Sequence, residues 1–260
     1  MSEQKKRISV VMPLVSKKGN DDVAKVFNKY LSPGFEVDLV NVKYGGIESV
    51  GGRAMAVTLP YIIQEIVKAA EKGYDAVISN CFADPGVPEA RALVTIPVIG
   101  PGESSLHLAC MLAYRVGIIE LCATRLTQLH GKGSNWVHQL VRRHGLSERV
   151  VSVRSIPFVL EDLAGGESIS DALYKASLQA VEEDGAEVLV LACTGVIGYA
   201  EELQRSLEVP VIEPSVAALK MAELLITTNL KHSKLAFPSD SDRGMRVEVK
   251  CPPTLKAYPR

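Results

Sequence analysis

Aromatic residues are scarce, 5% of the chain with a single tryptophan, and neither sign of charge prevails: 29 basic side chains face 30 acidic ones, for a formal net charge of -1. Such a balance offers nothing to recruit nucleic acid or an anionic membrane surface. No apolar run reaches transmembrane length without polar breaks, and Met1 to Arg7 lead straight into the strand-like Ile8-Ser-Val-Val11 without an apolar leader core. A cytoplasmic protein that binds neither nucleic acid nor membrane is therefore expected. No Gly-x-Gly-x-x-Gly follows the first strand, and no P-loop or H-E-x-x-H occurs, which argues against nicotinamide, ATP and metal. Pyridoxal phosphate has no short signature by which to exclude it; no cofactor is expected. The five cysteines, at 81, 110, 122, 193 and 251, form no C-x-x-C pair and have no histidine at ligand spacing. That excludes a disulfide framework and a structural zinc site, and leaves thiols that are either apolar filling or kept for chemistry.

What is present is an alternation. Short Val- and Ile-rich runs at Ile8–Met12, Glu36–Asn41, Ala76–Asn80, Val98–Ile99, Val116–Ile119, Val150–Ser155, Val188–Ala192 and Val211–Ile212 read as strands. Between them, helical periodicity covers Asp22–Tyr30, Leu59–Lys72, Ser104–Ala113, Asn135–His144, Ser170–Asp184, Tyr199–Ser206 and Ser215–Asn229. This is the pattern of βαβ units, an α/β protein with parallel sheets. Residues 230–260 lose it and carry four of the fourteen prolines, as an extended strap or partner contact would.

The chain also repeats itself. Ala69-Ala-Glu-Lys-Gly73-Tyr-Asp75-Ala-Val-Ile-Ser-Asn-Cys81 resembles Val181-Glu-Glu-Asp-Gly185-Ala-Glu187-Val-Leu-Val-Leu-Ala-Cys193. In both, a helix ends at glycine, an acidic residue follows two positions later, and an apolar strand delivers cysteine eight positions after the glycine. Downstream, Pro97-Val-Ile-Gly-Pro101 and Pro210-Val-Ile-Glu-Pro214 keep the register. Two pseudo-symmetric lobes are expected, each a parallel sheet flanked by helices, with the active site in the cleft between them. The expected division is 1–103 with about 216–260 in the first lobe, and 104–215 in the second.

Ligands of open parallel sheets gather at the C-terminal strand edges. Cys81 and Cys193 both fall there, one per half, each followed by a glycine-bearing loop. A small buried cysteine is the ordinary occupant of such a position, but equivalence in a repeat favours chemistry. Loop N–H groups can lower a thiol's pKa. One thiolate could then take a proton from a carbon beside a carbonyl while the opposite thiol returns one to the other face. The N–H groups around Phe82, Thr194 and Gly195, with the Asn80 amide, are candidates to stabilise the intervening enolate.

At these residues the chain resembles the hydantoin racemase branch of the Asp/Glu/hydantoin racemase family. Cys81-Phe-Ala-Asp84-Pro85-Gly86 and Cys193-Thr194-Gly195 are similar to its C-x-D-P-G and C-T-G blocks. Gly46-Ile47-Glu48-Ser49 resembles its S-I-E block, Gly100-Pro-Gly-Glu103-Ser-Ser-Leu-His107 its G-I-G-E-A-x-x-H block, and Ser233 to Pro238 its C-terminal T-S-K segment. The resemblance implies cofactor-free racemisation of a small molecule, 5-substituted hydantoins or allantoin, by Cys81 and Cys193, in a homo-oligomer. It also implies substrate contacts from Pro13, Ile47, Asn80, Phe82, Asp84, Thr194 and Gly195. The family's N-P-N-T-S loop is replaced by Met12-Pro13-Leu14-Val15-Ser16, and the N-T and T-H pairs of free amino-acid racemases are missing.

Other readings stay in view. Arylmalonate decarboxylases manage with one catalytic cysteine, so the pair counts against them, whereas maleate isomerisation also uses two. Amino-acid racemisation and a two-lobed small-molecule binding module are the remaining alternatives. Asp84 before Pro-Gly serves equally well as a turn residue. Cys110 and Cys122 read as core, Cys251 as incidental, His107 as a satisfied helix residue, and Arg142-Arg143-His144 as a solvated helix face.

Overall fold

The computed structural model describes residues 5–46, 53–122, 135–157 and 168–239. Two parallel four-stranded sheets form its frame. The first half runs β1 (Lys6–Met12), α1 (Asn20–Tyr30), β2 (Phe35–Asn41), α2 (Arg53–Glu71), β3 (Ala76–Ser79), α3 (Val87–Leu93), β4 (Val98–Ile99) and α4 (Pro101–Leu112). The second runs β5 (Val116–Cys122), α5 (Asn135–Arg143), β6 (Val150–Pro157), α6 (Ile169–Glu182), β7 (Val188–Leu191), α7 (Ala200–Leu207), β8 (Val211–Ile212) and α8 (Pro214–Thr227). Strand orders are β2-β1-β3-β4 and β6-β5-β7-β8, one topology used twice. The fold class expected from the sequence is the one observed. β3 and β7 are buried along their whole length, which is why they read as unbroken apolar runs.

The acidic residue of the repeat has the same structural duty in both halves. Asp75 accepts the backbone N–H of Arg7 at 2.8 Å, and Glu187 accepts those of Tyr114 and Arg115 at 3.0 and 3.1 Å. Each carboxylate thus closes the N-terminal end of its sheet's first strand. Gly73 and Gly185, at φ 74 and 70, make the left-handed turn that ends the preceding helix.

Helices α4 and α8 pack on one another and are exchanged between the halves. α4 follows β4 but sets Leu106 and Ala109 into the core of the second sheet, among Val116, Ile118, Val188 and Val190. α8 follows β8 but sets Ala218, Leu219 and Ala222 against Ile8, Val10, Ile78 and Ile99 of the first.

Two elements differ most from expectation. α2 begins at Arg53 rather than Leu59, running straight through Pro60; proline ordinarily marks a first turn, which is why the sequence points to a later start. α3, read from the sequence as loop, is a seven-residue helix with proline in its first turn, too short to show a period. Beyond α8, His232 and Lys234 fix the strap to the first half. The His232 ring contacts the Val98 backbone N–H at 2.9 Å, and the Lys234 ammonium donates to the carbonyls of Arg91 and Val94 at 2.7 Å each.

Candidate active site

Both candidate thiols stand where the repeat puts them, two residues past the ends of β3 and β7. The residue before each is the last rung of its ladder: Asn80 donates its N–H to Val11 at 2.9 Å, Ala192 to Ile119 at 2.7 Å. Each chain then turns alike. The Cys81 carbonyl accepts the N–H of Asp84 at 3.0 Å, and the Cys193 carbonyl that of Val196 at 3.3 Å. Each sulfur faces the N–H two residues on, Ala83 for Cys81 and Gly195 for Cys193, the latter at 3.4 Å. The halves join here, because the Thr194 hydroxyl donates to the Asn80 carbonyl at 3.1 Å. The sulfurs are close enough that a charge on Cys193 disfavours one on Cys81.

The electrostatics correct one expectation. The loop N–H donors are present, yet burial outweighs them and pushes the Cys81 thiol up to about 12, helped by the charges of Cys193 and Asp84. Cys193 is also raised, by burial above all, which outweighs the N–H groups of Gly195 and Val196; the charge of Glu213 adds the smallest contribution. Both sulfurs therefore rest as neutral thiols, and either one, once ionised, is a strong base.

Residues 16–222 match the family described as Asp/Glu/Hydantoin racemase. The chain belongs to that family. It is 37% identical over 179 residues to a hydantoin racemase of Pseudomonas sp. strain NS671, covering 68% of this chain and 69% of that one. It is 30% identical over 230 residues to a hydantoin racemase of Paenarthrobacter aurescens, covering 88% and 94%. An allantoin racemase from Klebsiella pneumoniae has the same fold at TM-score 0.79, with 29% identity over 90% of this chain and 94% of that one. The protein is an isomerase of the racemase type.

Around the racemase thiols the other candidate residues fall into two groups. Gly195 and Thr194 lie on the Cys193 loop, and Pro13, just beyond β1, is buried. Asn80, Phe82 and Asp84 are committed elsewhere. Asn80 is 1% exposed, its carbonyl oxygen taken by the Ser215 hydroxyl at 3.1 Å and its amide nitrogen 3.5 Å from the Met12 sulfur. The Phe82 ring is buried in the core under α4, edge-on to Trp136 at 6.2 Å. Asp84, held at φ 51, accepts the N–H groups of Gly102 and Glu103 at 2.8 and 2.7 Å, capping α4 from another element. These three side chains anchor the loop around Cys81. Ile47, Glu48, Ser49 and Cys251 lie outside the described residues, and β5 ends at Cys122, whose side chain is likewise outside them. Cys110 packs partly buried against the core, and His107 is exposed, edge-on to His144 at 5.4 Å.

Three features of the site escaped the sequence reading. Asn41, at the end of β2, donates to the carbonyls of Leu14 and Ser16 at 2.9 Å each and so shapes the loop after Pro13. Arg91 pairs with Glu103 beside Asp84. Ligand-type atoms of Asp84, Glu103 and His144 lie within 4.8 Å of one another. Arg91 and the α4 N–H groups occupy two of these three side chains, which makes them a hydrogen-bonded network rather than an open cation site. The third feature is Glu213, whose place in the repeat is visible in the sequence while its burial is not.

The buried carboxyls give the racemase a pH-dependent stability. Burial pushes Asp84 up to about 8, with Glu103 the second cause, and Glu213 up to about 7. Above their ordinary values the folded chain keeps protons that the unfolded chain has released, so this stability is lost as pH rises through the folded values. His144 and His232 are displaced downward, and their opposite contribution is complete once pH passes 6.5. The urea midpoint of the racemase should therefore fall between pH 6.5 and 8, with a shallower fall in Glu213→Gln. A wild-type midpoint that rises across this window would refute the assignment.

Proposed function

We propose that the protein inverts a carbon acid adjacent to a carbonyl, in 5-substituted hydantoins or allantoin, with Cys81 and Cys193 as opposed bases and no cofactor. One observation carries the reading: two thiols from equivalent positions of a structural repeat meet across the junction of the halves, each with a backbone N–H two residues on. The hydantoin and allantoin racemases among the relatives support the substrate class. The thiolate on one side takes the proton from the ring carbon and becomes a thiol, leaving a carbanion delocalised into the carbonyl. The thiol on the other side gives its proton to the opposite face and becomes the thiolate. The protonation states are then exchanged, so the next turnover converts the mirror image.

The test is incubation in deuterated water with single enantiomers of 5-substituted hydantoins and of allantoin, against a Cys81→Ser/Cys193→Ser control. Optical rotation should decay to zero with deuterium incorporated at the chiral carbon, and the control should match the slow uncatalysed rate. If no ring substrate changes faster than in the control, the substrate class is wrong, and maleate and free amino acids are tried next.

A further inference from the structure

Gly100 and Glu213 hold the same place in the repeat, between a short strand and the proline that opens the exchanged helix. At Gly100 a side chain is impossible, because a Cβ there would strike the Asp84 carboxylate. In the second half the residue corresponding to Asp84 is Val196, and the carboxylate comes from Glu213 instead. Each half thus buries one carboxylate near its cysteine, from opposite sides of the same junction. They are not equally satisfied. Both oxygens of Asp84 are bound by α4. Among the described residues Glu213 accepts only the Gly198 N–H, at 3.0 Å through Oε2, and its buried Oε1 has no partner. Gly198 belongs to the loop that supplies the N–H groups around the Cys193 sulfur.

We propose that Glu213 is the positioning residue for Cys193: it fixes the loop of residues 195–198 by its bond to Gly198, and its charge disfavours the Cys193 thiolate. The role rests on the two-thiol reading above. Glu213 is within electrostatic reach of Cys193, which carries the coupling. On the far side, Glu213 lines a cleft of about 40 Å³ with Lys29 and Tyr30 of α1 and Glu201 of α7. Lys29 pairs with Glu201 at 2.6 Å, and the Tyr30 hydroxyl also donates to Glu201, so the charges across the cleft are matched to each other. Cys81 also faces Cys193. With Gly198 its hydrogen-bond donor among the described residues, Glu213 is pushed by burial up to about 7 and so changes charge in the neutral range.

The test is the pH dependence of iodoacetamide alkylation at Cys193, resolved from the other cysteines by peptide mass spectrometry on the full chain. Glu213→Gln keeps an acceptor for Gly198 and removes the charge, so alkylation of Cys193 at pH 8 should quicken about three- to tenfold. Alkylation of Cys81 should change less than twofold, and Glu213→Asp should keep the wild-type profile. A folded Glu213→Gln protein with an unchanged Cys193 profile overturns the proposal. If that variant does not fold, the carboxyl carbon of Glu213 is followed by NMR in the wild type and in Cys193→Ser. A second inflection, present only in the wild type and coinciding with ionisation of Cys193, supports the coupling; identical curves overturn it. Alkylation needs no substrate, so failure here condemns the role of Glu213 alone, and failure to racemise any ring compound condemns the substrate reading alone.

Discussion

Serine in place of either Cys81 or Cys193 should lower the rate of racemisation about a thousandfold or more, the scale of a lost general acid or base in the proposed two-thiol step. A hydroxyl has the right size but is a far weaker acid than a thiol, so it neither ionises to a useful base nor surrenders a proton readily. Unfolding does not explain such a loss: exchanging a buried thiol for a hydroxyl costs about 1 to 2 kcal/mol. The diagnostic readout is proton exchange. Cys81→Ser retains the Cys193 base and should exchange the ring hydrogen of one enantiomer only; Cys193→Ser should do so for the other. Either single variant racemising within tenfold of wild type would remove that sulfur from the mechanism.

Gly102→Ala should be strongly damaging to the fold. A methyl group there collides with the backbone oxygen of Phe82 and comes within 2.7 Å of the Leu140 side chain and 3.0 Å of an Asp84 oxygen. The Phe82 carbonyl cannot rotate away as a side-chain end would, because its residue follows Cys81 and is anchored by a ring 2% exposed. The expected loss is about 3 kcal/mol in urea unfolding, as for overpacked cores. Activity should fall about a hundredfold in the protein that folds, since displacing the loop misplaces the sulfur. Gly195→Ala is the stability control. Its methyl group would meet only the Cys193 sulfur, at an ordinary 3.6 Å, and its urea midpoint should stay near wild type. Equal midpoints for the two variants would contradict the packing described.

Much of this architecture is legible in the chain because strands such as β3 and β7 are buried along their whole length and read as unbroken apolar runs. The placement of Cys81 and Cys193 is legible for a different reason: the repeat fixes both at one strand edge without any knowledge of packing. The duties of side chains around them are not, since they depend on partners remote in sequence. Asn80 is spent on Ser215, 135 residues on, and nothing local distinguishes that from an amide offered to a substrate. Asp84 before Pro-Gly looks like a turn residue and is one, while also capping a helix eighteen residues later. The lowered thiol pKa inferred from the loops failed because donors can be read locally, whereas burial is a property of the whole site.

The exchange of α4 and α8 also orders events during synthesis. The first sheet emerges early but lacks Ala218, Leu219 and Ala222, the residues that complete its core. The second sheet has its borrowed helix, α4, already made before its own first strand appears. The later half of the chain can therefore close before the earlier half, which stays open on one face until α8 leaves the ribosome.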